Sequence, residues 1–161
     1  METETKVVNE SAERELVITR TFDAPRELVF KAWTDPKHLI NWWGPKGFTN
    51  TFQEINVSPG GVWRFIMHGP DGVDYPNMIV YIEVVKPERI VYSHGSGEEG
   101  DPGQFQVIVT FAEQGSRTKL TARMIFISAE ARDKVIRESG AIEGANQTFD
   151  RLEEELAKMV R

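Results

Sequence analysis

Apolar residues recur every three or four positions through the C-terminal stretch from Gly140 to Arg161. This spacing is typical of one face of an α-helix. The apolar positions are Ile142, Ala145, Phe149, Leu152, Leu156 and Met159. We expect the opposite face to be in water, because it carries Glu143, Asp150, Arg151, Glu154 and Lys158. The pattern therefore predicts a long amphipathic helix around which the rest of the chain is organised.

Seven earlier segments instead alternate apolar and polar residues or are rich in β-branched and aromatic residues, and they predict strands. They are Glu15–Phe22, Thr51–Val57, Val62–His68, Asn77–Lys86, Arg89–His94, Phe105–Glu113 and Arg117–Phe126. Most of the last six are joined by short turns such as Gly69-Pro-Asp-Gly72, in which Pro fixes φ and Gly supplies a positive φ. Short connections of this kind favour an antiparallel sheet.

Three short helices complete the pattern. Pro25 predicts the first turn of a helix after the first strand, and Thr34-Asp35-Pro36 repeats this signal for a helix from Lys37 to Trp43. Ser128 predicts the cap of a third, Ala129–Glu138. Helices segregated from a strand meander predict an α+β fold, with a curved antiparallel sheet wrapped around the long C-terminal helix and two short helices after the first strand.

Composition narrows the functional classes. The 161 residues are enough for one domain, and we expect a flexible polar lead at 1–12 and a single domain at 13–161. The net charge of −6 argues against nucleic-acid and anionic-membrane partners, which require a basic surface. The chain contains no Cys, which excludes disulfides and thiolate chemistry and suits a reducing cytoplasm. We expect a cytoplasmic protein that is a monomer or a weak homodimer.

Several motifs carry a family resemblance that covers nearly everything from Glu15 onward. They are Phe22–Pro36, Trp42–Pro45, Gly60–Phe65, Met67–Gly72 and Glu143–Leu152. With the element order, they resemble the START-like helix-grip (SRPBCC) superfamily, which includes birch-pollen-allergen-like proteins, polyketide cyclases and lipid-transfer domains. Within it, the sequence is similar to the branch homologous to activators of the heat-shock chaperone ATPase. Residues 1–14 do not resemble the separate domain that supplies most of the activation in the eukaryotic activators.

A sheet curved around a helix leaves a cavity wherever the facing side chains do not fill it. The residues predicted to contact a ligand there are Trp33, Trp43, Trp63, Phe65, Met67, Tyr75, Met78, Tyr92 and Phe149. The alternative is that these residues simply pack on one another as core. Adjacent helical residues point about 100° apart, so we expect only one of Trp42 and Trp43 to be buried, with the other at the cavity mouth as a gate, a partner contact or a structural helix stop.

Polar residues within the strands are candidates for orienting a ligand. Arg64, His68, Glu83 and His94 alternate with apolar neighbours, and we expect most of them to face water. Arg64, His68 and His94 are the possible polar contacts, and the two histidines are candidates for proton transfer. No partner is fixed by spacing, so no catalytic residue is assigned.

Metal and cofactor sites are not predicted. The histidines at 38, 68 and 94 have no helical ligand spacing. Gly95–Gly100 matches the dinucleotide fingerprint, but a strand rather than a helix follows it, which predicts an acidic loop.

Three functions remain open. The first is non-enzymatic binding of a small hydrophobic or amphipathic molecule in a cavity between the sheet and the C-terminal helix. The second is a chaperone-interaction module of the stress response, which requires an exposed apolar patch around Trp42 and Trp43 with a filled interior. The third is a cyclase- or hydrolase-like enzyme, which requires a charged pair converging inside the cavity.

Overall fold

The computed structural model describes residues 14–98, 100–101 and 103–160, so the predicted lead at 1–12 lies outside the described residues. Seven strands and four helices follow in the predicted order. The strands are β1 Glu15–Phe22, β2 Thr49–Ile55, β3 Val62–His68, β4 Asp74–Val85, β5 Arg89–Gly95, β6 Phe105–Gln114 and β7 Arg117–Phe126. The helices are α1 Arg26–Thr34, α2 Pro36–Trp42, α3 Ala129–Ser139 and α4 Ala141–Met159. Within the described residues, no helix is long and apolar enough to span a membrane.

The strands form one antiparallel sheet in the order β1-β7-β6-β5-β4-β3-β2. Register shifts interrupt β2 between Phe52 and Glu54 and β4 between Tyr81 and Glu83. Bulges of this kind bend strands and increase their twist, which lets the sheet curve around a helix. The predicted α+β helix-grip architecture is thus confirmed.

Strand β4 begins three residues earlier than predicted and runs through Pro76. Pro76 is opposite Ile66 of β3, whereas the pairing of β4 with β5 extends only to Met78 and Gly95. A proline is tolerated at this point because one side of β4 has no strand that requires its missing N–H.

The helix starts follow the predicted chemistry. The Asp35 carboxylate accepts from the Lys37 amide at 3.0 Å at the start of α2, and the Ser128 hydroxyl accepts from the Ala131 amide at 3.0 Å at the start of α3. Gly140 separates α3 from α4 with φ of 59°, a conformation that glycine adopts without steric cost.

The apolar stripe of α4 packs against the concave face of the sheet, as predicted. Phe149, Leu152 and Leu156 are buried, and the Phe149 ring meets the Phe22 ring edge to face at 5.8 Å. Two buried charged residues that the pattern did not reveal hold α4 in place. Arg20 of β1 donates to the Asp150 carboxylate at 2.8 Å.

The second buried charge is Glu155 of α4, whose carboxylate lies 2.8 Å from Nδ1 of His38 and accepts from the Asn41 amide at 3.2 Å. Both partners belong to α2. Because a buried charge is costly unless it is paired, these contacts select one rotation of α4 against β1 and α2.

Candidate functional site

A cavity of about 260 Å³ lies between the concave face of the sheet, the Trp-rich segment after α1 and the first half of α4. Its lining is almost wholly apolar. It consists of Trp33, Trp42, Trp43, Gly44, Pro45, Met67, Tyr92, His94, Phe105, Val107, Ala122, Met124, Phe126, Val135, Gly140, Ala141, Gly144, Ala145, Thr148 and Phe149. Among the residues that the structure describes, no Asp, Glu, Lys or Arg belongs to this lining.

The space exists because the first half of α4 presents small residues to the sheet. Ala141, Gly144 and Ala145 line the cavity up to the Phe149 ring, whereas Leu152 and Leu156 of the second half of the helix are buried in the core. In the sequence, the small residues Ala141, Gly144 and Ala145 precede the large residues of the stripe from Phe149 onward, and this is the signal that sequence reasoning missed. The cavity is therefore located at the N-terminal half of α4.

The two adjacent tryptophans are both buried, so the expectation that one lies near the surface is wrong. Trp42 is 0% exposed and Trp43 is 8% exposed. Helix α2 ends at Trp42, and Trp43 has extended backbone angles of φ −69° and ψ 127°. The 100° offset of helical neighbours therefore does not apply to this pair.

Trp43 lies at the centre of an aromatic cluster. Its ring contacts Trp33 at 5.8 Å, Trp63 at 4.9 Å and Phe65 at 6.2 Å in edge-to-face arrangements. Edge-to-face pairs at these separations contribute beyond simple burial. The cluster therefore forms a rigid wall at one end of the cavity.

Arg151 of α4 holds the turn that completes this wall. Its guanidinium donates to the carbonyl oxygens of Trp43, Gly44 and Pro45 at 3.3, 2.8 and 3.0 Å, and to that of Asn41 at 3.0 Å. The prediction that Arg151 is simply in water is thus wrong, and its partial burial lowers its pKa. A cation at the C-terminal end of α2 also complements the helix dipole.

His94 is the polar residue that the sheet brings to the cavity. Its Nε2 lies 2.9 Å from Oδ1 of Asn77, and the Asn77 amide nitrogen donates to the Tyr75 carbonyl at 2.8 Å. This second bond orients the Asn77 oxygen toward His94, so Nε2 carries the proton and Nδ1 keeps a lone pair. Desolvation lowers the pKa of His94 to about 4, although the negative charge of Asp101 acts in the opposite direction. His94 is therefore neutral at pH 7.

Tyr92 is the second polar group in the lining. Burial raises the pKa of its hydroxyl, so the group stays protonated at neutral pH. Among the described residues, neither the Tyr92 hydroxyl nor Nδ1 of His94 has a hydrogen-bond partner, and neither atom is fully enclosed. The cavity thus combines a largely apolar wall with these two polar atoms and with the buried Nε1–H of Trp33, which also has no partner among the described residues.

The predicted contact residues separate into three groups. Trp33, Trp43, Met67, Tyr92, Phe149 and His94 line the cavity. Trp63 and Phe65 are buried behind Trp43 and stack on each other at 4.2 Å. The remaining four, Tyr75, Met78, Arg64 and His68, do not line it.

Tyr75 and Met78 are displaced for different reasons. Met78 is opposite Arg64 across the β3–β4 pair and shares the outer face of the sheet. Tyr75 is opposite Met67, but it lies beyond the end of β5 and is 41% exposed, with its hydroxyl 3.3 Å from the Asp71 carboxylate. Alternation along a strand does not reveal where the neighbouring strand ends.

Arg64 and His68 make their contacts away from the cavity. Arg64 donates to the Glu54 carboxylate at 2.9 Å. His68 lies between the Thr51 hydroxyl at 2.7 Å and the Asp74 carboxylate at 2.8 Å. This hydroxyl–imidazole–carboxylate chain joins three neighbouring strands on the outer face, and none of its members belongs to the cavity lining. In the part of the chain that the structure describes, no cluster of His, Asp and Glu could hold a metal ion.

Comparison with known proteins agrees with the fold and the motifs. Residues 23–157 match the family model described as Activator of Hsp90 ATPase homolog 1-like protein. A crystal structure of a protein from Mycobacterium smegmatis has a TM-score of 0.82 and 27% identity, covering 96% of each chain. A crystal structure of a protein from Nitrosomonas europaea has a TM-score of 0.83 and 26% identity over 92% of this chain and 97% of that one.

An NMR structure of a protein from Arthrobacter aurescens has a TM-score of 0.84 and 24% identity, covering 96% of this chain and 91% of that one. At this identity the likeness shows the fold alone. A search of curated proteins finds no match.

Proposed function

The chain belongs to the family of Activator of Hsp90 ATPase homolog 1-like proteins, within the START-like superfamily, and from this premise we propose that it binds a small hydrophobic or amphipathic molecule without transforming it. The binding place is the cavity between the sheet and the first half of α4. The proposal includes a cytoplasmic location, in keeping with the absence of Cys, and a monomer or weak homodimer.

The observation that carries this proposal is the composition of the cavity wall. An apolar lining with a few polar atoms is the usual make-up of a small-molecule site. The volume of about 260 Å³ is slightly below the roughly 300–1,000 Å³ of pockets for drug-sized ligands. We therefore expect a ligand no larger than two or three fused or linked rings.

The cavity chemistry favours binding over catalysis. General acid–base and nucleophilic mechanisms need a reactive group with a partner that activates it. Among the described residues of the lining, His94 is the titratable group closest to neutral pH, and its one hydrogen bond is to the uncharged Asn77 amide. Asp101 acts on His94 electrostatically but does not belong to the lining, and none of the described lining residues is an ionised partner for His94, which disfavours a charged catalytic pair.

A chaperone-interaction module is the alternative that the family name supports. Its expected signature is an exposed apolar patch at Trp42 and Trp43 over a filled interior. Both indoles are buried and the interior has a cavity, which favours the ligand-binding function.

Native mass spectrometry tests the proposal. Freshly purified protein is expected to show, beside its own mass, a bound species of a few hundred daltons or less that disappears on denaturation. If no such species is found, the apo protein is incubated with naphthalene as an apolar probe of suitable size. Failure of the apo protein to take up naphthalene, together with co-purification of a heat-shock chaperone on the same protein, would contradict the proposal and favour the alternative.

A further inference from the structure

The hydrogen bonds around His94 assign one hydrogen-bond acceptor to the cavity. The side-chain oxygen of Asn77 accepts a hydrogen bond from Nε2–H of His94. The amide nitrogen of Asn77 donates to the Tyr75 carbonyl, and this bond fixes the orientation of the side chain. The remaining ring nitrogen, Nδ1, is therefore a lone-pair acceptor, and it has no partner among the described residues. An unprotonated imidazole nitrogen accepts from O–H or N–H groups and has nothing to offer a carboxylate.

The second available atom is the Tyr92 hydroxyl. Tyr92 and His94 are two residues apart on β5, so both side chains are on the concave face, and their rings are 6.4 Å apart. A phenol both donates and accepts, so it complements a hydroxyl or a carbonyl of a ligand. His94 and Tyr92 thus supply two polar atoms from one strand, while α1 adds the buried, unpartnered indole N–H of Trp33.

The surroundings disfavour a charged ligand. None of the described lining residues carries a side chain that is ionised at neutral pH. The first turn of α4 borders the cavity, and Glu143 in that turn already supplies a negative charge to the helix N-terminus. An ion entering such a space loses its hydration without gaining a counter-charge, which is costly.

We infer that the cavity selects an uncharged, largely apolar molecule that carries a hydroxyl group, and that this hydroxyl donates to Nδ1 of His94 with the Tyr92 hydroxyl as the second polar contact. This ligand class rests on the proposed function and narrows it. His94 is a specificity-determining contact, while Asn77 is a positioning residue that sets its tautomer.

Three probes of nearly equal shape test the inference by calorimetric titration at pH 7: naphthalene, 2-naphthol and 2-naphthoate. A net gain of one neutral hydrogen bond predicts that 2-naphthol binds about fivefold more tightly than naphthalene. Without a partner the buried hydroxyl costs free energy, and naphthalene would bind more tightly instead. We expect 2-naphthoate to bind at least about tenfold more weakly than 2-naphthol, because its charge has no counter-charge in the lining.

Variants assign the effect to the residue. His94→Phe is expected to reverse the preference, so that naphthalene becomes the tighter ligand. His68→Phe is the matched control, since His68 is on the outer face and does not line the cavity, and it is expected to keep the wild-type preference. Tyr92→Phe, which retains the ring, reduces the preference for 2-naphthol and remains informative if His94→Phe does not fold.

The outcomes separate the two claims. If naphthalene binds but 2-naphthol binds no better, or if 2-naphthoate binds best, the ligand class is wrong while the proposed function stands. If His94→Phe keeps the preference for 2-naphthol, the assignment to Nδ1 is wrong. If none of the probes binds the wild-type protein up to its solubility limit, the proposed function fails and the ligand class fails with it.

Discussion

A larger side chain on α4 is expected to stabilise the protein if it fills an empty cavity, and to destabilise it if the space is already packed. Ala145 lines the cavity at the point where α4 carries small residues. Ala145→Leu adds three carbon atoms to this space. At about 0.8 kcal/mol per buried CH₂, the variant gains up to about 2.4 kcal/mol of unfolding free energy. In a filled core, the same change would cost about 1–3 kcal/mol through overpacking.

Thermal unfolding followed by circular dichroism shows whether Ala145→Leu raises or lowers the stability of the protein. For a chain of this length, 1 kcal/mol corresponds to roughly 2–4 °C in Tm, so we expect a rise of up to about 5–10 °C. Ala157→Leu is the matched control, because it makes the same change at an exposed position of the same helix. Surface substitutions are usually within about 0.5 kcal/mol of neutral.

Binding of naphthalene is the second measurement made on Ala145→Leu and its control Ala157→Leu. Ala145→Leu is expected to lose most naphthalene binding, while Ala157→Leu keeps it. A lower Tm for Ala145→Leu would refute the reasoning, since it would mean that the space between α4 and the sheet is already filled. A stabilised variant that still binds naphthalene with full affinity would place the ligand elsewhere.

Three further predictions concern stability. Arg151→Gln removes a guanidinium bonded to four carbonyl oxygens and is expected to cost about 1–3 kcal/mol in urea unfolding, whereas Lys158→Gln, an exposed change on the same helix, leaves the midpoint unchanged. Asp150→Ala takes the nearest carboxylate from the buried Arg20 and is expected to cost a similar amount; no change in the midpoint would mean that this ion pair does not anchor α4. The pKa of His94 is about 4 in the folded protein, against an ordinary value of 6.5, so the unfolded chain binds more protons between these two pH values. The free energy of unfolding is therefore expected to fall by about 3 kcal/mol as the pH drops from 6.5 to 4. His94→Phe is expected to reduce this pH dependence, and an unchanged pH dependence would contradict the assignment to His94.

The element order could be predicted from the sequence because each element carries its own period. The stripe of α4, the alternation in β3 and the caps at Asp35 and Ser128 are local signals, and each corresponds to an element in the structure. One error arose because a helix ends one residue earlier than its sequence pattern predicts. Trp43 was assigned to a helix that ends at Trp42, and the burial of both indoles follows from that single residue.

The site was only partly predictable because its polar chemistry depends on partners that are distant in sequence. The tautomer of His94 is set by Asn77, on the neighbouring strand, and the bulge between Tyr81 and Glu83 changes which residues face each other. The burial of Arg20 depends on Asp150, far along the chain. Register and long-range pairing of this kind have no signature in hydrophobic periodicity.

The most direct test of the central claim uses the indole N–H signals of the four tryptophans in two-dimensional ¹H–¹⁵N NMR. Trp33, Trp42 and Trp43 line the cavity, whereas Trp63 packs behind Trp43. On titration with naphthalene, the account predicts saturable shifts of the first three signals and a smaller shift of Trp63. Indole signals that stay unchanged up to the solubility limit of naphthalene would contradict the claim that this cavity binds a small apolar molecule.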